Sequence, residues 1–514
     1  MSALSNIDWL VCFVYLTAVL TLSLFLARGQ HDNDDYFLAG RRMHWVPIGL
    51  SIFAGTFSSL SFVGLPSEAA YRDYHLYLSI LFIPFVVTPI VWFLFLPLYF
   101  RLQVTSAYEY VELRFNRRLR LVCSVLFMLY TIGWMGNLLR AVGVLLQAVF
   151  GITVWQTTLL LLAIGLFATV YTTIGGVKAV VWTDALQAVA LGGGMLAVWY
   201  LALQKVDGGW ESVWKIGNEH DRFAMFRTTF EGEGGNLYAA CAFGFFVYLT
   251  GHSVSFTAVQ RFMSMPNLRA ARLSLIINGV MVAFVCGLFF VTGSTLFAFY
   301  HQQPAERIEV SSRSLNSVDT DASSTNLYDE LSGEGKQDHL LPRFVLTEIP
   351  RPGLLGILLA GLFAAAMSSV DSGINSMTAS LVSDWMSGRK LPLRKSRYCC
   401  FLFGMIAIAM AITFYLRGGN VFPLIMKISG MFYGLMLGIF LLGMLVKRAN
   451  SLCAEIGLVA GVTALTVILF VYPVSHWWYG AVACVPTVLI GFIVSRCVPA
   501  DEKPSTGLHQ TTNQ

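Results

Sequence analysis

The chain has 514 residues, of which 56% are hydrophobic and only 12% charged, and its formal net charge is +5. Soluble domains carry about 25% charged residues. Half that proportion, with repeated apolar runs of about 20 residues, excludes a soluble multidomain enzyme and indicates an all-α polytopic membrane protein. The basic balance implies no nucleic-acid partner, because the basic residues gather at helix ends.

Taken in chain order, apolar windows predict thirteen spans, near 7–27, 46–70, 76–100, 121–149, 154–173, 178–204, 236–262, 272–300, 353–385, 396–416, 420–446, 452–472 and 475–496. The first follows "MSALSNID", which has no basic segment, so it reads as a span and not as a cleaved signal. Basic clusters fall at 101–120 (Arg101, Arg114, Arg117, Arg118, Arg120) and 386–397 (Arg389, Lys390, Arg394, Lys395, Arg397). Smaller groups are Arg41 with Arg42, Arg261 with Arg269 and Arg272, and Lys447 with Arg448. All share one side if the spans alternate. The positive-inside rule makes that side the cytoplasm, with the N-terminus outside and the C-terminus inside. Segments 205–235 and 301–350 are then external. The nine cysteines lie in apolar segments or short basic flanks and read as small hydrophobes, not a disulfide or metal framework. No N-x-S/T sequon occurs, which favours a bacterial inner membrane.

Anchoring spans are polar at their ends, whereas several spans here are polar in the middle. The second, "VPIGLSIFAGTFSSLSFVGLPSEAA", carries Gly55, Thr56, Ser58, Ser59 and Ser61 at its centre, then Gly64 and Pro66. Such a segment reads as a broken helix facing protein or a water-filled cavity, or as close packing through small residues. The seventh span repeats the pattern with Thr250, Gly251, His252, Ser253, Ser255 and Thr257. Two interrupted spans five apart are corresponding members of two five-helix repeats of opposite orientation, the pattern of a transporter with its site at the midplane. His252 reads either as a hydrogen-bonded core histidine or as a proton relay.

In the ninth span Ala365, Ser368, Ser369 and Ser372 form one stripe, bordered by Asp371. A row of hydroxyls and carbonyls suits a hard cation; backbone-bonded serines are the alternative. Asp184 in the sixth span and Arg140 in the fourth are intramembrane charges, which point to function. Arg140 predicts an acidic solute or pairs with an internal acid. Lys427 is shallow enough to snorkel.

With these residues in place, the chain resembles the sodium:solute symporter family over nearly its whole length. The matching stretches are "DDYFLAGRR" (34–42), "TSAYEYVELRF" (105–115), "YTTIGGVKAVVWTDALQ" (171–187), "VDGG" (206–209), "VQR" (259–261) and "AAAMSSVDSGINS" (364–376). Bacterial thirteen-span members, such as sialic acid and sodium/sugar symporters, are similar in span count. The resemblance implies a LeuT-like five-plus-five inverted repeat: an extra helix and loop over 1–45, the first repeat over 46–204, a loop over 205–235, the second repeat over 236–446, two further helices over 447–497 and a tail over 498–514. It implies Na+ as the ion cofactor, held by the carbonyls of Ala54, Phe57 and Ala365 and the hydroxyls of Ser368 and Ser369. A second sodium site is implied at Asp184, Ser368, Asp371 and Ser372, where Asp371 replaces the hydroxyl some members use.

Candidate solute contacts are Thr56, Ser58, Ser61, Trp134, Arg140, Thr250 and His252. The arginine with which sialic acid transporters bind the solute carboxylate is replaced by Trp134. Arg140 lies six residues further on, about 240° round the helix. The tyrosine gate of the sugar carriers is replaced by Gly251. The expected function is sodium-coupled import of a small organic solute, acidic or a sugar, by alternating access. Proton coupling, or a transporter-fold membrane sensor, is the alternative. Expected partners are the solute, sodium and the bilayer, with no obligate protein partner.

Overall fold

The computed structural model describes residues 5–28, 30–57, 59–226, 236–303, 340–348, 353–386, 391–418, 421–472 and 474–498. Ser58, most of segment 301–350, the basic pair Arg389 and Lys390, and the tail from 499 lie outside the described residues. Among the described residues the regular structure is helical. In chain order it runs α1 (Asn6–Leu26), α2 (Asn33–Leu38), α3 (Trp45–Thr56), α4 (Ser59–Tyr71), α5 (His75–Leu102) and α6 (Ala107–Arg114). There follow α7 (Arg117–Phe150), α8 (Val154–Gln204), α9 (Gly209–Glu219), α10 (Leu237–Ser253), α11 (Phe256–Met263) and α12 (Leu268–Gln302). The last are α13 (Leu340–Glu348), α14 (Leu354–Ser380), α15 (Leu393–Arg417), α16 (Val421–Leu445), α17 (Ser451–Phe470) and α18 (Tyr479–Cys497).

Ten helices among the described residues are long and apolar enough to cross a membrane, and twelve spans result when the two bent pairs each count as one. The difference from thirteen lies in α8. Its 51 residues would reach about 77 Å as one helix, more than twice the roughly 30 Å hydrocarbon core. It breaks at Gly176 (φ 59°, ψ −167°), between the expected fifth and sixth spans. A Cβ at Gly176 would stand 2.7 Å from the Tyr36 ring and carbonyl. Segment 205–235, expected as a loop, contains the helix α9.

The two interrupted spans are broken as their sequences predict. α3 ends at Thr56 and Phe57 turns extended (φ −107°, ψ 122°); α4 leaves at 61° to α3. α10 and α11 meet at 45°, with Ser255 at φ −58°, ψ 129°. α14 runs through the centre, packed along α8 and against α1, α3, α4, α7, α11 and α15. Its polar side chains are therefore enclosed by protein, as backbone and hydroxyls in a bilayer require.

α1 is fastened to α14. Asp8 accepts from the Ser5 backbone and hydroxyl in its own first turn. Its other oxygen accepts from the backbone N–H groups of Gly353 and Gly356 at 2.9 and 2.8 Å, capping α14 as well. At the far end of α14, Arg120 joins Asp384 (2.9 Å), the Ser383 carbonyl and Glu112.

Gly176→Ala is expected to lower the melting temperature of the purified protein, since left-handed backbone of this kind costs a side-chain-bearing residue about 1–3 kcal/mol. Gly193→Ala, in the same helix but with nothing within 4 Å of the added carbon, is expected to leave melting unchanged or raise it slightly. Equal losses in the two variants would remove the special role of the Gly176 break.

Candidate functional site

The site grows from the end of α3. Where α3 stops, its last carbonyls lose their intrahelical partners and turn towards α14. The Ser368 hydroxyl donates to the Ala54 carbonyl (3.2 Å) and the Ala365 carbonyl (3.1 Å), and the Ser369 hydroxyl lies 3.5 Å from the Ala365 carbonyl. Ala54, Phe57, Ala365, Ser368 and Ser369 are all buried, at 1–3% exposure. Neutral oxygens from two helices thus gather in one buried place, the donor set that a small hard cation takes.

One turn further along α14 lies a second polar cluster, built around Arg261. Its Nη2 donates to Asp184 Oδ2 at 2.9 Å and to the Ser372 hydroxyl at 2.5 Å; its Nε donates to the Ser51 hydroxyl at 2.7 Å, and Nη1 to the Thr257 carbonyl. The hydroxyls of Ser51 and Ser372 in turn donate hydrogen bonds to Asp184 Oδ2, at 2.5 and 3.2 Å. A closed ring of hydrogen bonds therefore joins α3, α8, α11 and α14. Sequence reasoning placed Arg261 with a cytoplasmic basic group; in the structure it is 4% exposed and paired with the intramembrane acid. The signal that could have found it is Asp184 itself, since a buried carboxylate calls for a basic partner.

Asp371 stands beside this ring with different partners. Its Oδ2 accepts from the Tyr171 hydroxyl at 2.7 Å and lies 3.5 Å from the Thr183 hydroxyl, while Oδ1 takes the Ser372 backbone N–H at 2.6 Å. Tyr171 and Ser51 were also missed, because neither a tyrosine nor a lone serine in an apolar run reveals which neighbour it meets.

Next to both clusters is a cavity of about 160 Å³. Gly55, Thr56 and Phe57 at the break of α3 line it together with Ser369, Ser372 and Arg261. Of the expected solute contacts, Thr56, Ser61, Trp134 and His252 reach the cavity. Thr56 and His252 are held by carbonyls one turn back, those of Ile52 and Tyr248. Arg140 and Thr250 do not line it. Arg140 is buried with its Nη1 3.5 Å from Asn137 Oδ1, and the Thr250 hydroxyl donates to the Phe246 carbonyl at 2.6 Å. The opposite wall is aromatic: Tyr130 lies over Trp134 (5.8 Å between centroids) and Tyr433 (3.9 Å).

The sodium:solute symporter family matches this chain over residues 36–461. The chain is 28% identical to the sodium/sialic acid symporter NanT of Aliivibrio fischeri over 499 residues, covering 95% of this chain and 93% of that protein. It is 32% identical to the human sodium-coupled monocarboxylate transporter 1 over 461 residues (85% and 68%), and 31% identical to the rabbit sodium-dependent multivitamin transporter over 476 residues (90% and 70%). The structure of a Na+-coupled sialic acid symporter, substrate-bound and outward-open, superposes with a TM-score of 0.83 at 28% identity, covering 96% of this chain and 99% of that one. Mhp1, a nucleobase-cation-symport-1 family transporter, shares the fold at a TM-score of 0.55 and 14% identity (90% and 93% covered). Helix breaks, oxygen cluster, central cavity and these likenesses converge: the chain belongs to the sodium:solute symporter family, an integral membrane protein of LeuT-like fold that couples a solute to sodium and is not an enzyme.

Proposed function

We propose that this protein imports a small organic acid, monocarboxylate-like in size, together with sodium. The observation that carries the proposal is the contact between the oxygen cluster and the cavity: Phe57 and Ser369 belong to the first and also line the second. Sodium bound by Ala54, Phe57, Ala365, Ser368 and Ser369 would bridge α3 to α14 and complete one wall of the solute chamber. Sodium is then cargo that travels with the solute, and not a resident cofactor. Its release towards low sodium would loosen the bridge, and a membrane potential adds about 2.3 kcal/mol per charge per 100 mV.

The size of the chamber supports a small solute. About 160 Å³ is well below the roughly 300–1,000 Å³ of sites for drug-sized ligands. Its polarity supports an acid: among the described residues lining it, Arg261 carries a positive charge, although it shares that charge with Asp184 through Nη2. Thr56, Ser61 and His252 add polar contacts, and the Tyr130–Trp134 wall adds an apolar face. Asp371 favours a second reading, proton coupling, because it adds a carboxylate beside the Asp184–Arg261 ring. The basic clusters support a cytoplasmic C-terminus in a bacterial plasma membrane.

Four outcomes are expected. Sodium should raise the melting temperature of the purified protein, by about 2.7 kcal/mol of stabilisation at one hundred times its dissociation constant. Ser369→Ala should lose most of that shift, and an unchanged shift would remove Ser369 from the site. In proteoliposomes, uptake of acetate, lactate, pyruvate or nicotinate should follow an imposed sodium gradient, whereas sialic acid and hexoses should not enter; uptake driven by a proton gradient without sodium would favour the second reading. Cys497, the exposed cysteine at the end of α18, should react with a membrane-impermeant maleimide in inverted vesicles but not in intact cells.

A further inference from the structure

Of the four residues that the family resemblance implies for a second sodium, Asp184 leaves one oxygen, Oδ1, without a donor among the described residues. The other polar groups are engaged around Arg261, in the first cluster or, at Asp371, by separate donors. Ser368 directs its hydroxyl to the carbonyls of Ala54 and Ala365, within the first cluster. Ser372 and Asp184 Oδ2 are both bonded to the same nitrogen, Arg261 Nη2. Both oxygens of Asp371 are met by donors of their own, Tyr171 and the Ser372 backbone. A sodium ion drawn to Asp184 Oδ2 and Ser372 would have to share them with a guanidinium nitrogen 2.9 and 2.5 Å away. Two like charges at that separation repel strongly where no water screens them.

We propose that Arg261 is a tethered cation that occupies the second ion position, so that the protein binds a single sodium. The inference rests on the sodium coupling proposed above and fixes its stoichiometry. Arg261 is anchored on all sides: Ser51 on α3 through Nε, Thr257 on its own helix through Nη1, and Asp184 and Ser372 through Nη2. α11 itself is held against α14 by Thr257 to Ser376 (2.8 Å) and Gln260 to Asn375 (2.8 Å). The charge therefore arrives with the fold and does not depend on the ion concentration outside. It also meets the carboxylate on one side only. Asp184 Oδ1 is fully buried and has no hydrogen-bond partner among the described residues. Removing the guanidinium would leave Asp184 with both oxygens open to an incoming ion, beside the hydroxyls of Ser51 and Ser372.

The test is a direct count of sodium bound at equilibrium, using radioactive sodium and purified protein in lipid nanodiscs. The wild type is expected to saturate at one ion per chain. Arg261→Gln keeps an amide donor at the position of Nε, is two atoms shorter and removes the charge, and is expected to saturate at two. Arg261→Lys keeps a tethered cation and is expected to remain at one. Two ions on the wild type would overturn the proposal, as would a folded Arg261→Gln that still binds one. Should Arg261→Gln fail to fold, the wild-type count and the lysine variant decide the question. No saturable sodium binding by the wild type would overturn the sodium reading itself, an outcome distinct from two ions.

Discussion

A charged carboxylate inside a bilayer calls for a positive partner, and the answer to Asp184 organises the centre of this protein. Removing one member of a buried ion pair commonly costs about 3–5 kcal/mol, because the other is left uncompensated. Here the answering residue comes from α11, 77 positions along the chain. The serines between them come from α3 and α14. Four helices must therefore be in register before the pair can form. The bend between α10 and α11 is what lets a short helix carry Arg261 to that depth.

The same economy of partners explains the helix breaks. A straight α3 would spend its carbonyls on its own ladder and have none for a neighbour. Ending at Thr56 turns backbone that would be inert into a set of ligand-like oxygens, and the serines of α14 are placed to meet them. The neutral cage proposed for sodium suits an ion that has to leave again, while the Arg261–Asp184 ring next to it holds together through its own hydrogen bonds. Chemistry that must be reversible and chemistry that must be permanent thus sit about one turn apart on one helix.

Fold class and helix breaks were legible because they depend on composition and local order. Apolar length marks a span, and clusters of Gly, Ser and Thr mark an interruption. The stripe of Ala365, Ser368, Ser369 and Ser372 was legible because helical spacing alone places those residues together. What could not be read was the pairing of distant charges. Arg261 lies near Arg269 and Arg272 in sequence and was grouped with them, yet one residue points inward and belongs to Asp184. Arg140 was conspicuous for its depth, but helix rotation sends it away from the cavity. A helical sequence gives depth more readily than azimuth, and the solute chamber is a matter of azimuth. The break in α8 was legible in the same way as the spans: two apolar windows, 154–173 and 178–204, placed a boundary where Gly176 interrupts the helix.

Asp8 gives the first helix a mechanical place. Because a single carboxylate closes the N-terminal turn of α1 and also that of α14, these two helices share a common pivot. Gly356 leaves no room for slack, since even a methyl group there would collide with the Asp8 backbone. Any motion that parts α3 from α14 therefore drags α1 along as ballast on the α14 side. The first helix, with no residue among those lining the cavity, is thereby made one mechanical unit with α14.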